Sequence, residues 1–393
     1  MAEVRLALFT DTYAPEMNGV AKTLERWTAY LRERGVECQV FAPSRPRGEK
    51  QAPDMAERLR SIRFFLYPEL RLAVPQMAGA ESKLLDFKPT VVHVATPFGV
   101  GVTGRQLALK HGIPLVASHH THYVRYLPYY NLQWLSKATW KYMNWFHRPC
   151  SRIYVPSPSV LEECRADGWE GLEIWSRGVD TSLFRPEPDR EALREELQLP
   201  RRRFAVLYAG RLAPEKQPEV AVEAVHRFVH DTGADAELLI AGDGPSAESV
   251  RALADRLEVP ARFLGALPQP ELRRVMAGSD AFLFPSATET FGNVVQEAMA
   301  CGLPVIGAAG GAVPDHIRHG DNGLLCPPGD ADAFAAALSR LHGDAALRAI
   351  LSAVGPREAA LRSWDGVFGR LLSDIRRVCV SSAGEAVAGG VGR

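Results

Sequence analysis

The chain has 393 residues, more than one ordinary α/β core accommodates, and this length predicts roughly two to three domains. Lysine plus arginine and aspartate plus glutamate both total 46, so the formal net charge is zero. This balance argues against a general nucleic-acid-binding protein, which needs a net basic field, although it leaves a local basic patch open.

The cysteine pattern predicts a protein of a reducing compartment, and the hydropathy pattern predicts one without a membrane-spanning helix. The six cysteines are scattered without any CxxC pair, which excludes a zinc ribbon and a thioredoxin motif. No small-residue cleavage site follows the first apolar segment, and no apolar run approaches the length of a spanning helix. We therefore expect a cytoplasmic protein, at most attached to the inner face of the cell membrane.

Short apolar strands alternate with amphipathic helices along the first half of the chain. A helix over 20–34 follows the first strand and ends at Gly35. The predicted strands of this half are 4–9, 37–42, 91–94, 115–118 and 153–156. The alternation predicts a parallel sheet with helices on both faces.

The same pattern restarts near residue 204. The predicted strands are 204–208, 237–241, 262–264, 281–284 and 304–307, and the predicted helices are 219–230, 333–361 and 364–378. Prolines among charged residues between 180 and 200 suit a linker. The fold class is therefore α/β, with two Rossmann-like, doubly wound parallel-sheet domains that face a cleft. The predicted domains are 1–180, 181–362, a C-terminal helix at 363–380 and a disordered tail at 381–393.

The loops that follow strands are the candidate sites, because ligands bind beyond the carboxyl ends of such sheets. The loop after the first strand leads to Asn18, a predicted helix N-cap, and then to Gly19 and Val20. The exposed amides at this helix start, with the helix dipole behind them, suit a phosphate. An ordinary strand–helix turn is the alternative interpretation.

Two cations follow the first strand of the second half. Arg211 and Lys216 come after Gly210, close to the predicted end of that strand. Fixed cations here would stabilise the charge that a diphosphate leaving group gains as its bond to a sugar breaks. The alternative is a pair of solvated surface cations beside Glu215.

The segment from Glu289 to Glu297 carries the strongest pattern. Glu289 lies in a loop, and a helix begins near Asn293, which we expect to cap it with Gln296 three residues on. The two carboxylates suit the hydroxyls of a sugar and a ribose, and the helix start suits a phosphate. The amides available there belong to Phe291, Gly292 and Asn293. A plain loop carboxylate and a favourable helix-start charge are the alternative.

Two other patterns raise the question of a metal. His119, His120 and His122 follow a first-half strand, but no cysteine or acidic residue is adjacent, so we prefer a role for one of these histidines in polarising or positioning a sugar. Asp330 and Asp332 form an Asp-x-Asp that could hold a metal-bound diphosphate, but their position predicts a helix N-cap. We expect neither a metal nor another cofactor.

Aromatic residues are dense between 126 and 148 and are interleaved with lysine and arginine. Trp134, Ala138, Lys141 and Trp145 fall on one face of a predicted helix. Such a face could lie in a lipid headgroup region or line a groove for a glycolipid acceptor. Ordinary core packing is the alternative.

Together these loops resemble those of retaining glycosyltransferases of family 4, which have the two-lobed GT-B architecture. The resemblance spans nearly the whole chain and depends most on the order of the loops. The features that carry it are the Asn18-Gly19-Val20 loop, His120, Gly210-Arg211 with Lys216, the Gly242-Asp243-Gly244 turn and the Glu289/Glu297 pair. It implies a nucleotide diphosphate sugar as donor substrate, no metal, and a C-terminal helix that returns to the first domain.

The resemblance also implies a role for each candidate residue. Arg211 and Lys216 would bind the diphosphate, and His120 would lie beside the sugar. The remaining donor contacts would be Glu289 with the 291–293 backbone for the sugar, Glu297 for the ribose and the backbone from Gly265 to Leu267 for the base.

Within the family, segments 92–97, 175–180 and 210–216 are most similar to GDP-mannose-dependent α-mannosyltransferases and sulfoquinovosyl-diacylglycerol synthases. The resemblance therefore implies transfer of a hexose, mannose first, to a glycolipid or saccharide acceptor. A UDP-sugar-dependent glucosyl- or sulfoquinovosyl-type transfer to diacylglycerol is the alternative. Asn18-Gly19 stands where many relatives have two glycines, so this loop does not identify the acceptor.

Three further alternatives concern the reaction. Retention by double displacement needs a carboxylate nucleophile beneath the sugar, and since none is evident, same-face attack is expected, with the departing phosphate taking the acceptor proton. A non-hydrolysing nucleotide-sugar epimerase would bind the same donor without an acceptor. A binding protein on an inactive transferase scaffold fits less well, because the set of cations and carboxylates is complete.

Overall fold

The computed structural model describes residues 3–16, 18–44, 56–59, 61–64, 67–73 and 77–389. The chain divides into two compact units. Unit 1 comprises Met1–Val124, Trp134–Ser176 and Asp365–Arg393, and unit 2 comprises Arg125–Gln133 and Arg177–Trp364. Residues 125–133 thus belong to unit 2, although unit 1 supplies the chain on both sides of them.

Unit 1 contains a seven-stranded parallel sheet of order β3-β2-β1-β6-β7-β8-β9, and β4 and β5 form a separate antiparallel pair. The strands are β1 Arg5–Phe9, β2 Glu37–Pro43, β3 Ala56–Leu59, β4 Ser61–Phe64, β5 Tyr67–Ala73, β6 Val91–Val94, β7 Leu115–Ser118, β8 Arg152–Val155 and β9 Leu172–Ile174. The helices between them are α1 Gly19–Glu33, α2 Met77–Phe87, α3 Gly99–His111, α4 Tyr123–Tyr126, α5 Ser136–His147 and α6 Pro158–Ala166. The central strands are buried along most of their length, as a sheet covered on both faces requires.

Unit 2 contains a six-stranded parallel sheet of order β12-β11-β10-β13-β14-β15. The strands are β10 Phe204–Ala209, β11 Ala236–Ala241, β12 Ala261–Gly265, β13 Ala281–Phe284, β14 Val305–Ala308 and β15 Leu324–Cys326. The helices are α7 Arg190–Glu196, α8 Pro218–Thr232, α9 Ala247–Arg256, α10 Gln269–Gly278, α11 Asn293–Ala300, α12 Ala331–Gly343 and α13 Ala345–Ala360. Two doubly wound, Rossmann-like units confirm the predicted α/β fold class.

The strand order locates one switch point in each sheet. In unit 1 the chain winds outward from β1 through β2 and then from β6 on the other side; in unit 2 it winds in the same way from β10 and from β13. The loops after such paired strands diverge over opposite faces and leave a crevice between them, which is where ligands bind in these sheets.

The final helix, α14, covers Trp364–Gly389 and packs within unit 1. Phe368 lies 5.3 Å from the ring of Trp27, and the hydroxyl of Tyr154 donates to Asp374 at 2.9 Å. The helix continues past residue 381, where the sequence predicts a disordered tail at 381–393. Residues 390–393 of that tail lie outside the described residues.

One predicted helix is wrong. The sequence predicts a single helix over 333–361, whereas α12 ends at Gly343 and α13 begins at Ala345. Asp344 interrupts the helix because its side chain caps α13, accepting a hydrogen bond from the amide of Leu347 at 2.9 Å. No helix among the described residues is long and apolar enough to cross a membrane.

Candidate functional site

The loops after β10 and β13 meet at the switch point of unit 2. The short helical turn Pro214–Lys216 lies in the first loop, and two hydroxyls of the second loop donate to it. Ser286 Oγ lies 3.4 Å and Thr288 Oγ1 3.1 Å from the carbonyl oxygen of Glu215. These bonds hold the residues after the two strands in one place.

Lys216 and Glu289 form an ion pair in this crevice. Lys216 Nζ lies 2.5 Å from Glu289 Oε1, and the two side chains are only 18% and 15% exposed. Burial, the largest single influence, lowers the pKa of Lys216, but Glu289, Tyr126 and Glu215 together outweigh it and raise the pKa above its ordinary value. The lysine therefore stays a cation beside a carboxylate that can accept further hydrogen bonds.

The buried carboxylate of Glu215 is approached by two side chains, those of Arg211 and Tyr130. Its side chain is 2% exposed, with Arg211 Nη1 at 3.8 Å from one carboxylate oxygen, while the hydroxyl of Tyr130 donates to the other at 2.8 Å. Burial, together with this bond to Glu215, raises the pKa of Tyr130. Burial also raises the pKa of Tyr126. The positive charge of Lys216 opposes this shift, and the negative charge of Glu289 adds to it. The segment 125–133 thus belongs to the surroundings of the candidate site.

These contacts correct the expected aromatic face of residues 126–148. Tyr130 binds Glu215 in unit 2, whereas α5 lies in unit 1 and begins only at Ser136, so Trp134 is not on the same helix as Trp145. Phe146 is fully buried in unit 1. Residues 126–148 therefore do not form one surface. Tyr130 contacts the candidate site in unit 2, Phe146 lies in the core of unit 1, and other residues of the segment are exposed.

The start of α11 differs from the predicted cap. Gly292, with φ 87°, occupies the cap position in the left-handed conformation that favours glycine, and Asn293 is the first helical residue. Asn293 therefore does not cap the helix, and its buried Oδ1 has no hydrogen-bond partner among the described residues. One turn later, Glu297 Oε1 lies 3.4 Å from Gln269 Nε2.

Close backbone approach explains the glycines beside β10. A Cβ on Gly242 would lie 1.8 Å from the carbonyl oxygen of Gly210. Gly210 in turn donates its amide to Ala241 at 3.0 Å. Gly265, the last residue of β12, is exposed, and Leu267 packs partly on the core, so the backbone expected to meet a base lies at the same end of the sheet.

In unit 1, the loop after β1 caps two helices. Asn18 is the N-cap of α1 as predicted, accepting from the amide of Ala21 at 2.8 Å, and Gly19 begins the helix with Val20 next. Asp11 accepts from the amide of Val100 at 2.8 Å and from Thr96 Oγ1 at 2.7 Å, at the start of α3. Burial raises the pKa of Asp11 to about 6, although these bonds oppose the shift.

His120 also lies in unit 1, immediately after β7. It is 8% exposed, and its ring meets that of Trp175 edge-on, with centroids 5.2 Å apart. Within the described ranges, no group of three or more His, Cys, Asp or Glu residues could hold a metal ion. Asp330 caps α12, as predicted, by accepting from the amide of Ala333 at 2.9 Å.

Comparison with known proteins decides the family. The profile described as Glycosyltransferase Family 4 matches residues 17–183, and that described as Glycosyl transferases group 1 matches residues 189–357. A GDP-mannose-dependent α-mannosyltransferase of Mycobacterium tuberculosis is 32% identical over 96% of this chain and 98% of its own length. The chain belongs to glycosyltransferase family 4. It is therefore an enzyme of the hexosyltransferase class, as the resemblance implied.

Other relatives of this glycosyltransferase agree with that assignment. The sulfoquinovosyl transferase SQD2 of Arabidopsis thaliana is 31% identical over 92% of this chain and 71% of its own length. Among solved structures, the sucrose-phosphate synthase of Thermosynechococcus elongatus has a TM-score of 0.80 at 21% identity, covering 96% of this chain and 100% of that one. Similarity at this level confirms the fold, the GT-B arrangement of two Rossmann-like domains with a C-terminal helix.

The candidate residues of the glycosyltransferase divide between its units. Unit 1 holds Asn18, Gly19, Val20 and His120, and unit 2 holds Gly210, Arg211, Lys216, Leu267, Glu289, Phe291, Gly292, Asn293 and Glu297. Sequence reasoning missed Glu215 as a buried acceptor and Tyr130 as its donor. Neither has a local signal, since the two residues are 85 positions apart.

Proposed function

We propose that this glycosyltransferase is a retaining enzyme that transfers mannose from GDP-mannose to a glycolipid or saccharide acceptor. Relatives at 32% and 31% identity over most of the chain are named for GDP-mannose, which supports the donor. The observation that carries the proposal is the half-buried Lys216–Glu289 ion pair between the loops after β10 and β13, with Arg211 in the first of these loops.

Each of these side chains has a chemical task in that reaction. Lys216 and Arg211 bind the diphosphate and stabilise its growing charge, so that no metal ion is required. Glu289 accepts hydrogen bonds from hydroxyls of the donor sugar, and Glu297 accepts from the ribose. Asn18, Gly19 and Val20 contribute amides to the donor, and His120 lies beside the sugar.

Retention follows from attack on the same face as the leaving group. The departing phosphate takes the proton of the acceptor hydroxyl as the new glycosidic bond forms, so the enzyme needs no carboxylate nucleophile. Incubation with a 2-fluoro nucleotide sugar followed by intact-mass measurement tests this step. A stable glycosyl adduct on the protein would contradict same-face attack without contradicting transfer itself.

The donor and reaction are tested with the purified chain. Turnover is measured with GDP-mannose, UDP-glucose and UDP-sulfoquinovose, each with a lipid extract and with simple mannosides, and the anomeric configuration of the product is read by NMR. We expect an α-linked mannoside from GDP-mannose. Transfer from a UDP-sugar alone would replace the donor, and an epimerised nucleotide sugar without any transfer would contradict the transferase assignment.

We further propose that the acceptor is lipid-linked and that the exposed part of 134–148 contacts an anionic membrane at the inner face of the cell membrane. Trp134 is 73% and Trp145 44% exposed. Lysines 137 and 141 and Arg148 are exposed beside them. Exposed indoles among cations are typical of surfaces that lie in the headgroup region.

Vesicle co-sedimentation tests the membrane contact. The double variant Trp134→Ala, Trp145→Ala is expected to lose most binding to vesicles containing an anionic lipid. The control is Leu361→Ala, which removes a side chain that is 85% exposed in unit 2. Wild-type protein that stays in the supernatant, or a Leu361 variant that loses as much binding, would contradict the proposal.

A further inference from the structure

A buried histidine lies directly behind the start of α11. His316 is 4% exposed and follows the short helical turn Val313–Asp315. Its Nε2 atom is 2.7 Å from the carbonyl oxygen of Phe291, and the two rings meet edge-on with centroids 4.5 Å apart. Phe291 immediately precedes the glycine that occupies the cap position of the helix.

The hydrogen-bond partners define which nitrogen of His316 carries the proton. Arg362 Nη1 lies 2.7 Å from His316 Nδ1, and a guanidinium has donors only. Nδ1 must therefore accept, so Nε2 carries the hydrogen and donates it to Phe291. Burial, and then the charge of Arg362, lowers the pKa of His316 to about 4, which keeps this neutral form at neutral pH.

The backbone of His316 is held as firmly as its ring. Asn322 Nδ2 donates to the carbonyl oxygen of His316 at 3.0 Å and to Glu358 Oε2 at 2.6 Å. Asn322 Oδ1 in turn accepts from the amide of Arg318 at 2.7 Å. The imidazole is thus fixed from both sides before any ligand arrives, which is what a positioning group requires.

The bond from His316 acts on the start of α11, whose amides and helix dipole suit a phosphate of the donor, a group that GDP also carries. In a trans peptide the carbonyl and the following amide point in opposite directions, so holding the oxygen of Phe291 also directs the amide of Gly292. Gly292 is free to turn because glycine has no Cβ, and its φ of 87° is not imposed by a side chain. An external anchor is therefore needed to keep this amide in one direction.

We infer that His316 is a positioning residue for the nucleotide-sugar donor: its Nε2–H bond to Phe291 sets the direction of the amides at the start of α11. This inference rests on the proposed function for the identity of the ligand. His316 does not touch the donor. It acts through the Phe291–Gly292 peptide, and its loss weakens donor binding without affecting the acceptor.

The test compares two histidines that each bond to a backbone carbonyl. His316→Phe retains a ring against Phe291 and removes both nitrogens. His316→Gln can still donate to Phe291. The matched control is His226→Phe. His226 lies on α8 of the same unit, and its Nδ1 atom is 3.0 Å from the carbonyl oxygen of Leu257. The readouts are Tm, the Kd for GDP by calorimetry, and the KM values of donor and acceptor.

His316→Phe is expected to raise both the Kd for GDP and the donor KM by about tenfold, since one buried hydrogen bond is lost, and to leave the acceptor KM unchanged. His316→Gln is expected to stay within about threefold of wild type. His226→Phe is expected to lower Tm and leave both donor constants unchanged. If His316→Phe does not fold, Arg362→Met, which removes the partner of Nδ1 only, is expected to raise the donor constants by about threefold.

Two results would overturn the inference. One is a folded His316→Phe protein whose Kd for GDP matches wild type; the other is a His316→Gln protein as impaired as His316→Phe. Neither of these two results contradicts the proposed function, provided that the wild-type protein transfers mannose. Conversely, a wild-type protein that binds GDP but transfers no sugar would contradict the proposed function, while the calorimetric comparison would still decide the role of His316.

Discussion

Lys216 forms an ion pair with Glu289 at 2.5 Å, and this pairing determines what the removal of the lysine does. Lys216→Ala deletes a fixed cation from the expected position of the diphosphate and leaves Glu289 without its partner. We predict that kcat falls by about 100- to 1,000-fold, as for other preorganised electrostatic groups. Steady-state kinetics with GDP-mannose measure the effect.

Arg203→Ala is the control for this prediction. Arg203 Nε lies 2.9 Å from Asp235 Oδ1 at the amino end of β10, the end opposite to the candidate site. Both side chains are partly exposed, so the pair contributes little to stability. Equal kcat values for the two variants, or a Lys216→Ala enzyme of wild-type rate, would contradict the assigned role.

A second prediction concerns Tyr130 and the carboxylate that it reaches. Tyr130→Phe removes the donor at 2.8 Å from Glu215, whose side chain is 2% exposed and cannot recover the bond from water easily. We expect the free energy of unfolding to fall by about 1–3 kcal/mol, the usual cost for a bond to a buried charge. Urea unfolding measures it. The neighbouring Tyr129→Phe, which leaves the bond from Tyr130 to Glu215 in place, should change the same quantity by less than about 0.5 kcal/mol. Equal effects would disprove the contact.

At the scale of elements, the loop after β14 supports the loop after β13. The amide of Ala312 donates to the carbonyl oxygen of Glu289 at 2.8 Å. A Cβ on Gly311 would lie 2.5 Å from that same oxygen, so only glycine permits the approach. The position of Glu289 thus depends on a strand that contributes no candidate site residue.

Gly311→Ala tests this support. Gly311 has φ +59° and Gly320 has φ +87°, but a Cβ on Gly320 meets nothing within 4 Å. Both alanine variants incur the strain of the left-handed conformation, about 1–2 kcal/mol. Only Gly311→Ala adds the clash, so we predict that it loses about 1–3 kcal/mol more in urea unfolding and that its donor KM rises. A Gly320→Ala variant with the higher donor KM would contradict the argument.

The elements also show how far sequence reasoning reaches. β10 and β13 are predictable because each is a short apolar run, and the residues after them are predictable as site residues once the sheet is taken as parallel. α11 begins where predicted, but its cap was assigned to Asn293 because the pattern cannot show that Gly292 turns left-handed first. The single helix over 333–361 was predicted because helical periodicity continues through Asp344, which terminates one helix and caps the next.

Contacts between distant parts of the chain could not be predicted. His316 reaches Phe291 across 25 positions, and Tyr130 reaches Glu215 across 85. Neither contact leaves a periodic pattern, because it depends on which strands are neighbours and on where the chain passes from unit 1 to unit 2. The candidate groups therefore have a pattern in the sequence, whereas most of the residues that hold them in place have none.

At the scale of the whole molecule, buried neutral histidines determine the response to acid. Burial lowers the pKa of His93 to about 3 and of His147 to about 4, and His316 is similarly lowered to about 4. The pKa of His119 is also lowered well below its ordinary value, again by burial. In the unfolded chain these groups bind protons below about pH 6.5, whereas the folded protein binds them only at a pH well below that.

The stability that these histidines contribute is complete above about pH 6.5 and is lost as the pH falls towards 4. Each pKa unit corresponds to about 1.4 kcal/mol, so His147 alone contributes about 3 kcal/mol across that range. Asp11 acts in the opposite direction, because burial raises its pKa to about 6 and the folded protein takes up its proton first. One aspartate offsets about one histidine, so we predict that the urea midpoint falls steadily from pH 7 to pH 5.

His147→Gln isolates one histidine from the others. The variant is expected to be less stable at pH 7, where it loses the bond to the carbonyl of Met143, and to lose less further stability on acidification. His230→Gln is the control, since the side chain of His230 is 77% exposed rather than buried. A urea midpoint that rises on going from pH 7 to pH 5 would show that the acidic groups dominate. A His147→Gln slope equal to that of His230→Gln would show that His147 binds its proton in the folded protein.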